Sequence, residues 1–66
     1  MVVVNDRDHV AWHEGMTVHQ VLKAMGYSYV LITVSVNGKH VPREEYETFA
    51  VPDGADFKAF HLAHGG

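Results

Sequence analysis

The sequence predicts an α+β domain in which one mixed sheet of four to five strands wraps a single main helix. Three observations predict it. A β-branched apolar run occupies residues 2–4, and apolar residues alternate in strand period over 32–36 and 57–62. One stretch, residues 18–25, has helical period instead, and turn signals at Asn37-Gly38 and Pro52-Asp53-Gly54 separate the later strands. The chain of 66 residues has room for one such domain and one modest core, with no space for a deep catalytic cleft.

Three consecutive valines occupy residues 2–4. After polar Asn5-Asp6-Arg7-Asp8, Val10 and Trp12 alternate with their neighbours over residues 9–12, so the two runs predict an opening β-hairpin. Thr17, with Gln20 three residues on, forms a T-x-x-Q capping box, and Met16 is placed to staple onto Val21. Val18, Val21, Leu22 and Met25 recur at i, i+3, i+4 and i+7, and Gly26 stands where a left-handed residue ends a helix. The helix is therefore predicted over about 18–25.

Residues 27–31 lead into a half-buried strand in which Ile32, Val34 and Val36 point one way and Thr33 and Ser35 the other. Asn37-Gly38 suits a type I′ turn, so the chain doubles back through Lys39, His40 and Val41 until Pro42 ends the pairing. A short helical turn is expected within residues 43–48, and Pro52-Asp53-Gly54 reads as a β-turn. The last strand is expected over 56–62, with Phe57, Ala59 and His61 on one face and Lys58, Phe60 and Leu62 on the other. Two hairpins with a helix between them and a terminal strand give the order ββαβ(β)β, that of the β-grasp fold.

Composition narrows the function classes. A hydrophobic fraction of 47% with 20% charged residues describes a folded chain. The net charge of −3 is scattered, with no basic stripe for nucleic acid. No apolar stretch approaches the roughly 20 residues of a membrane span, and residues 1–4 are too short for a signal-peptide core, so a cytoplasmic protein is expected. The absence of cysteine removes disulfides, thiolate metal sites and cysteine nucleophiles. The six histidines show no zinc-site spacing, and Ser28 and Ser35 lie in no G-x-S-x-G elbow. Glu44-Glu45 is a solvated pair without the setting of a catalytic acid.

The remaining feature is the final pair Gly65-Gly66. A chance terminal Gly pair occurs in roughly one chain in two hundred, and a frayed end is its plain structural reading. The functional reading is steric: residues 63–66, fully extended, reach about 13–14 Å, and two residues without Cβ pass through a channel too narrow for side chains. With Phe57 and Ala59 facing the helix, Phe60 and Leu62 fall on the open sheet face beside this tail, where they suit partner docking. A one-residue slip in register would place them in the core instead.

Val36-Asn37-Gly38, Val41-Pro42-Arg43, Asp53-Gly54 and Gly65-Gly66 together resemble the pattern of the ThiS family, the ubiquitin-like sulfur carriers of thiamine thiazole synthesis. The resemblance spans the whole chain and includes the Thr17-Val18 helix start. It implies a protein cosubstrate and not an enzyme. The final glycine of such a carrier is adenylated by a ThiF-like enzyme, converted to a thiocarboxylate, and gives its sulfur to a ThiG-like thiazole synthase. ATP and a sulfur donor are used by the partner, with no cofactor bound by the carrier, which is expected to be a monomer when free. By position, Gly66 is the modified residue and Gly65 its slender approach, while His64, Phe60 and Leu62 meet the partner. The implied division is a β-grasp domain over 1–62 and a tail over 63–66. Ala55 replaces a usually acidic residue, Tyr46 a common Trp, and His64 a usually small or apolar one. The alternatives are a MoaD-like small subunit of molybdopterin synthase or a protein-conjugating ubiquitin-like modifier, which share the tail, and a TGS-like interaction module, which has no use for a free Gly-Gly end.

Overall fold

In the computed structural model, which describes residues 1–27 and 32–61, the chain runs β1 (Val2–Val4), β2 (Asp8–Val10), α1 (Val18–Met25), β3 (Ile32–Val36), β4 (Lys39–Val41), a 3-10 turn (Arg43–Glu45) and β5 (Asp56–His61). The five strands form one mixed sheet in the order β2-β1-β5-β3-β4, with β1 and β5 parallel and the other neighbours antiparallel. The last strand therefore lies in the middle of the sheet beside the first, as the β-grasp arrangement requires.

The first hairpin is tighter than the alternation at Val10 and Trp12 predicts. Asn5 and Asp6 take φ of +54° and +59°, and the N–H of Arg7 donates to the Val4 carbonyl at 3.1 Å. Asn and Asp are the side chains best tolerated in that left-handed region. Val4 consequently pairs with Asp8, so the second strand starts one residue early and ends at Val10. Trp12 is not part of it: its indole N–H reaches the Val51 carbonyl at 2.7 Å.

The helix has the predicted bounds because both of its ends are satisfied. At its start the Gln20 N–H donates to Thr17 Oγ1 at 3.4 Å and the Thr17 N–H to Gln20 Oε1 at 3.0 Å, completing the capping box. The N–H groups of Val18 and His19 go to the carbonyls of Phe49 at 3.2 Å and Tyr46 at 2.7 Å. The helix start is thus anchored on the 46–51 loop. At its end Gly26 takes φ +74°, and the N–H groups of Gly26 and Tyr27 close onto the carbonyls of Lys23 and Leu22.

Period dictates the core. Val18, Val21 and Leu22 of α1 are fully buried, with Met25 half-buried at the margin. They cover Val2 and Val4 of β1, Ile32, Val34 and Val36 of β3, Val41 of β4, and Phe57 and Ala59 of β5, all buried in one cluster with Met16 and Val51. Ala55 and Tyr46, the two departures within the domain, are also core residues at 1% and 2% exposure. The Tyr46 hydroxyl donates to the Ile32 carbonyl at 3.3 Å, and burial raises its pKa, with Arg43 acting in the opposite sense. The phenol stays protonated at neutral pH. Asn37 and Gly38 take φ of +51° and +82° in the predicted turn, and Pro52-Asp53-Gly54 turns with the Ala55 N–H on the Pro52 carbonyl.

Candidate functional site

β5 carries the chain from the core toward residues 62–66, so its two faces and two edges define the site. Phe57 and Ala59 are buried against the helix, which puts Asp56, Lys58 and Phe60 on the opposite, open face. The register with Phe60 outward is the one observed. Phe60 is 56% exposed; Met1 is the other large apolar side chain exposed to this degree among the described residues.

The register with neighbouring strands shows what surrounds that ring. Thr33 is opposite Phe60, Ser35 is opposite Lys58, and His40 is opposite Ser35. On the other side Val3 is opposite Asp56 and His9 opposite Val3. Phe60 is thus one aromatic set on a largely polar face. Lys58 Nζ donates to Asp56 Oδ1 at 2.7 Å and to Asp6 Oδ1 at 3.1 Å. The bonds to Asp56 and then Asp6 raise its pKa above the ordinary lysine value, so the ammonium persists on this face at any physiological pH.

Two asparagines fasten β5 from opposite sides. On the β3 side the Asn37 N–H donates to the Asp56 carbonyl and Asn37 Oδ1 accepts from the Asp56 N–H, both at 2.8 Å. On the β1 side the Asn5 N–H donates to the Phe57 carbonyl at 2.8 Å. The Asn5 carboxamide then accepts from the Ala59 N–H at 2.8 Å and donates to the Ala59 carbonyl at 3.0 Å. At the far end of β5 the exposed His61 ring meets Tyr27 edge to face, with centroids 5.1 Å apart and an interplanar angle of 82°.

Of the residues singled out from the sequence, Phe60 is the one the structure describes. Leu62, His64, Gly65 and Gly66 lie outside the described residues, as does residue range 28–31 of the predicted connection. Sequence reasoning passed over Asn5, the ion pairs of Lys58 and the Tyr27–His61 contact. The one available signal was the Asn5-Asp6 dipeptide, whose residue types favour positive φ. Among the described residues no three His, Asp or Glu side chains gather to hold a metal ion, and every buried side-chain nitrogen or oxygen has a hydrogen-bond partner. No helix among them is long and apolar enough to cross a membrane.

Comparisons with known proteins agree with this geometry. A model of the ThiS family matches residues 2–66. The crystal structure of the thiamine biosynthesis protein ThiS from Geobacter metallireducens is similar at a TM-score of 0.77 and 27% identity, covering 98% of this chain and 97% of that one. A solution structure of a thiamine biosynthesis protein from the same organism is similar at a TM-score of 0.75 and 27% identity, covering 98% of this chain and 86% of that one. Curated protein sequences give no match. With the match running through the mixed sheet, the helix and the final glycines alike, the chain belongs to the ThiS family.

Proposed function

We propose that the protein is a sulfur carrier of the thiamine pathway, with Gly66 as the residue that carries the sulfur. The observation that bears most weight is the family match, which extends to Gly66 and so includes the Gly65-Gly66 pair. A carboxylate is a poor electrophile. Attack of the Gly66 carboxylate on the α-phosphate of ATP, catalysed by a ThiF-like enzyme, forms an acyl-adenylate and releases pyrophosphate. A sulfur nucleophile then displaces AMP to leave a thiocarboxylate, whose sulfur passes to a ThiG-like thiazole synthase. The chain contributes no catalytic group and holds no cofactor in this scheme; ATP and the sulfur donor belong to the partner's reaction. The carrier acts as a cytoplasmic monomer, with residues 1–62 as the docking body and 63–66 as the arm.

Docking centres on Phe60 and involves Leu62, while His64 and Gly65 enter the partner's channel. Exposed aromatics on polar faces are the usual anchors of such contacts. Phe60→Asp is expected to raise the KM of the adenylating enzyme for the carrier by about tenfold, with the melting temperature unchanged because the ring is exposed. The pathway assignment is tested by expressing the protein in a thiamine auxotroph that lacks its own carrier. Growth without thiamine supports it. Rescue of a molybdopterin mutant in place of the auxotroph would assign the chain to the MoaD-like alternative.

A further inference from the structure

The backbone of β5 is held unequally on its two sides. Toward β3 it is paired from Phe57 to His61. Toward β1 the backbone pairing covers only Val3 with Asp56 and Val4 with Phe57, because the chain turns away at Asn5. The groups of Ala55 and Phe57 that face this side are met by the N–H groups of Val3 at 3.0 Å and Asn5 at 2.8 Å. The next residue facing it is Ala59, at 3% exposure, where an unpaired N–H and C=O would be costly. β1 has no residue left to pair with it.

The Asn5 carboxamide takes that place. It presents one acceptor and one donor, as a peptide group does, and meets the Ala59 N–H at 2.8 Å and the Ala59 carbonyl at 3.0 Å. Aspartate lacks the donor, and serine has a single oxygen for both tasks. The left-handed backbone at φ +54° is also one that asparagine tolerates well. One residue therefore ends the first strand and, through its side chain, continues that strand's hydrogen bonding along β5.

We infer that Asn5 is a positioning residue for the carrier reaction: by clasping Ala59 it fixes the end of β5 from which Phe60 and the tail are presented together to the adenylating enzyme. The inference rests on the carrier reading above. Ala59 directly precedes Phe60 and is the last β5 residue bonded from the β1 side. Without the clasp, β5 from Ala59 onward is held by β3 alone among the described residues, and the docking ring at Phe60 is less firmly placed. The loss falls on recognition and not on the chemical step.

The test compares Asn5→Gly with Asn37→Gly in the full chain, using ATP–pyrophosphate exchange by a ThiF-like adenylating enzyme that accepts the wild type. Asn5→Gly keeps a residue suited to positive φ and removes only the carboxamide. It is expected to raise the KM for the carrier about fivefold, to leave kcat within about twofold, and to speed Ala59 amide exchange at least about tenfold. Asn37→Gly removes the matching side-chain bond at the other end of β5 and is expected to leave KM unchanged. Asn5→Asp, which keeps the acceptor and loses the donor, should fall between wild type and Asn5→Gly, and carries the same comparison if the glycine variant does not fold. A wild-type KM in the Asn5 variants, or an equal rise in Asn37→Gly, overturns the inference. A wild-type protein refused by every adenylating enzyme overturns the carrier reading itself, which separates the two failures.

Discussion

Removal of Gly66 is expected to cut thiocarboxylate formation by at least about 100-fold while the fold survives. The variant still ends in a carboxylate, on Gly65, but the arm that delivers it is shorter by about 3.3–3.6 Å. A misplacement of about 1 Å at a reacting centre already costs on the order of 100-fold in rate, so adenylation should fall by at least that factor. The core among the described residues is built from positions between Val2 and Ala59, at least six residues before this change in sequence. Stability should move by less than about 0.5 kcal/mol. Intact-protein mass spectrometry after incubation with the adenylating enzyme reads the first expectation, and a thermal melt reads the second. Retained conversion of the shortened chain would mean that the reacting carboxylate tolerates a residue's displacement, contrary to a narrow-channel mechanism.

Phe57→Ala is expected to remove most of the stability of the domain. Phe57 is fully buried near the start of β5, opposite Val36 on one side and Val4 on the other. Truncating such a ring costs about 3–5 kcal/mol, from lost burial and from the cavity left behind. A domain of this size has roughly 3–10 kcal/mol in total, so the variant should be partly or wholly unfolded at 37 °C. Phe60→Ala, three residues on and on the opposite face, should change stability by no more than about 0.5 kcal/mol. Urea denaturation of the pair checks this directly. Equal losses would show that the two faces of β5 are not divided into core and open surface.

The parts of the fold legible in the sequence are those set by local rules. The Thr17 and Gln20 capping box, the Val18 to Met25 stripe and Gly26 bound the helix correctly, since each acts within a turn or two of its neighbours. Alternation put Phe57 and Ala59 on one face and Phe60 on the other for the same reason, but which face is buried is seen only in the folded sheet. The first hairpin shows where local rules stop. Asn5 reads as one more polar loop residue, but its carboxamide bonds a residue 54 positions away, and no periodicity reports a contact of that separation. Trp12 fits strand alternation, yet its N–H is taken by Val51, 39 positions on. In the same way alternation puts Lys58 on a strand face but does not report that the hairpin loop brings Asp6 to it. For the candidate site, Gly65-Gly66 and the ThiS pattern were readable as residue types, while the placement of Phe60 in a largely polar face depended on register across five strands.

The most direct test of the sulfur-carrier account is the mass of the intact protein after incubation with ATP, a ThiF-like adenylating enzyme shown to be active, and a sulfur donor. Exchange of one carboxylate oxygen for sulfur adds about 16 Da, and fragmentation should place the whole increment on Gly66. An unchanged mass in the presence of that active enzyme, or an increment on any other residue, would contradict the account.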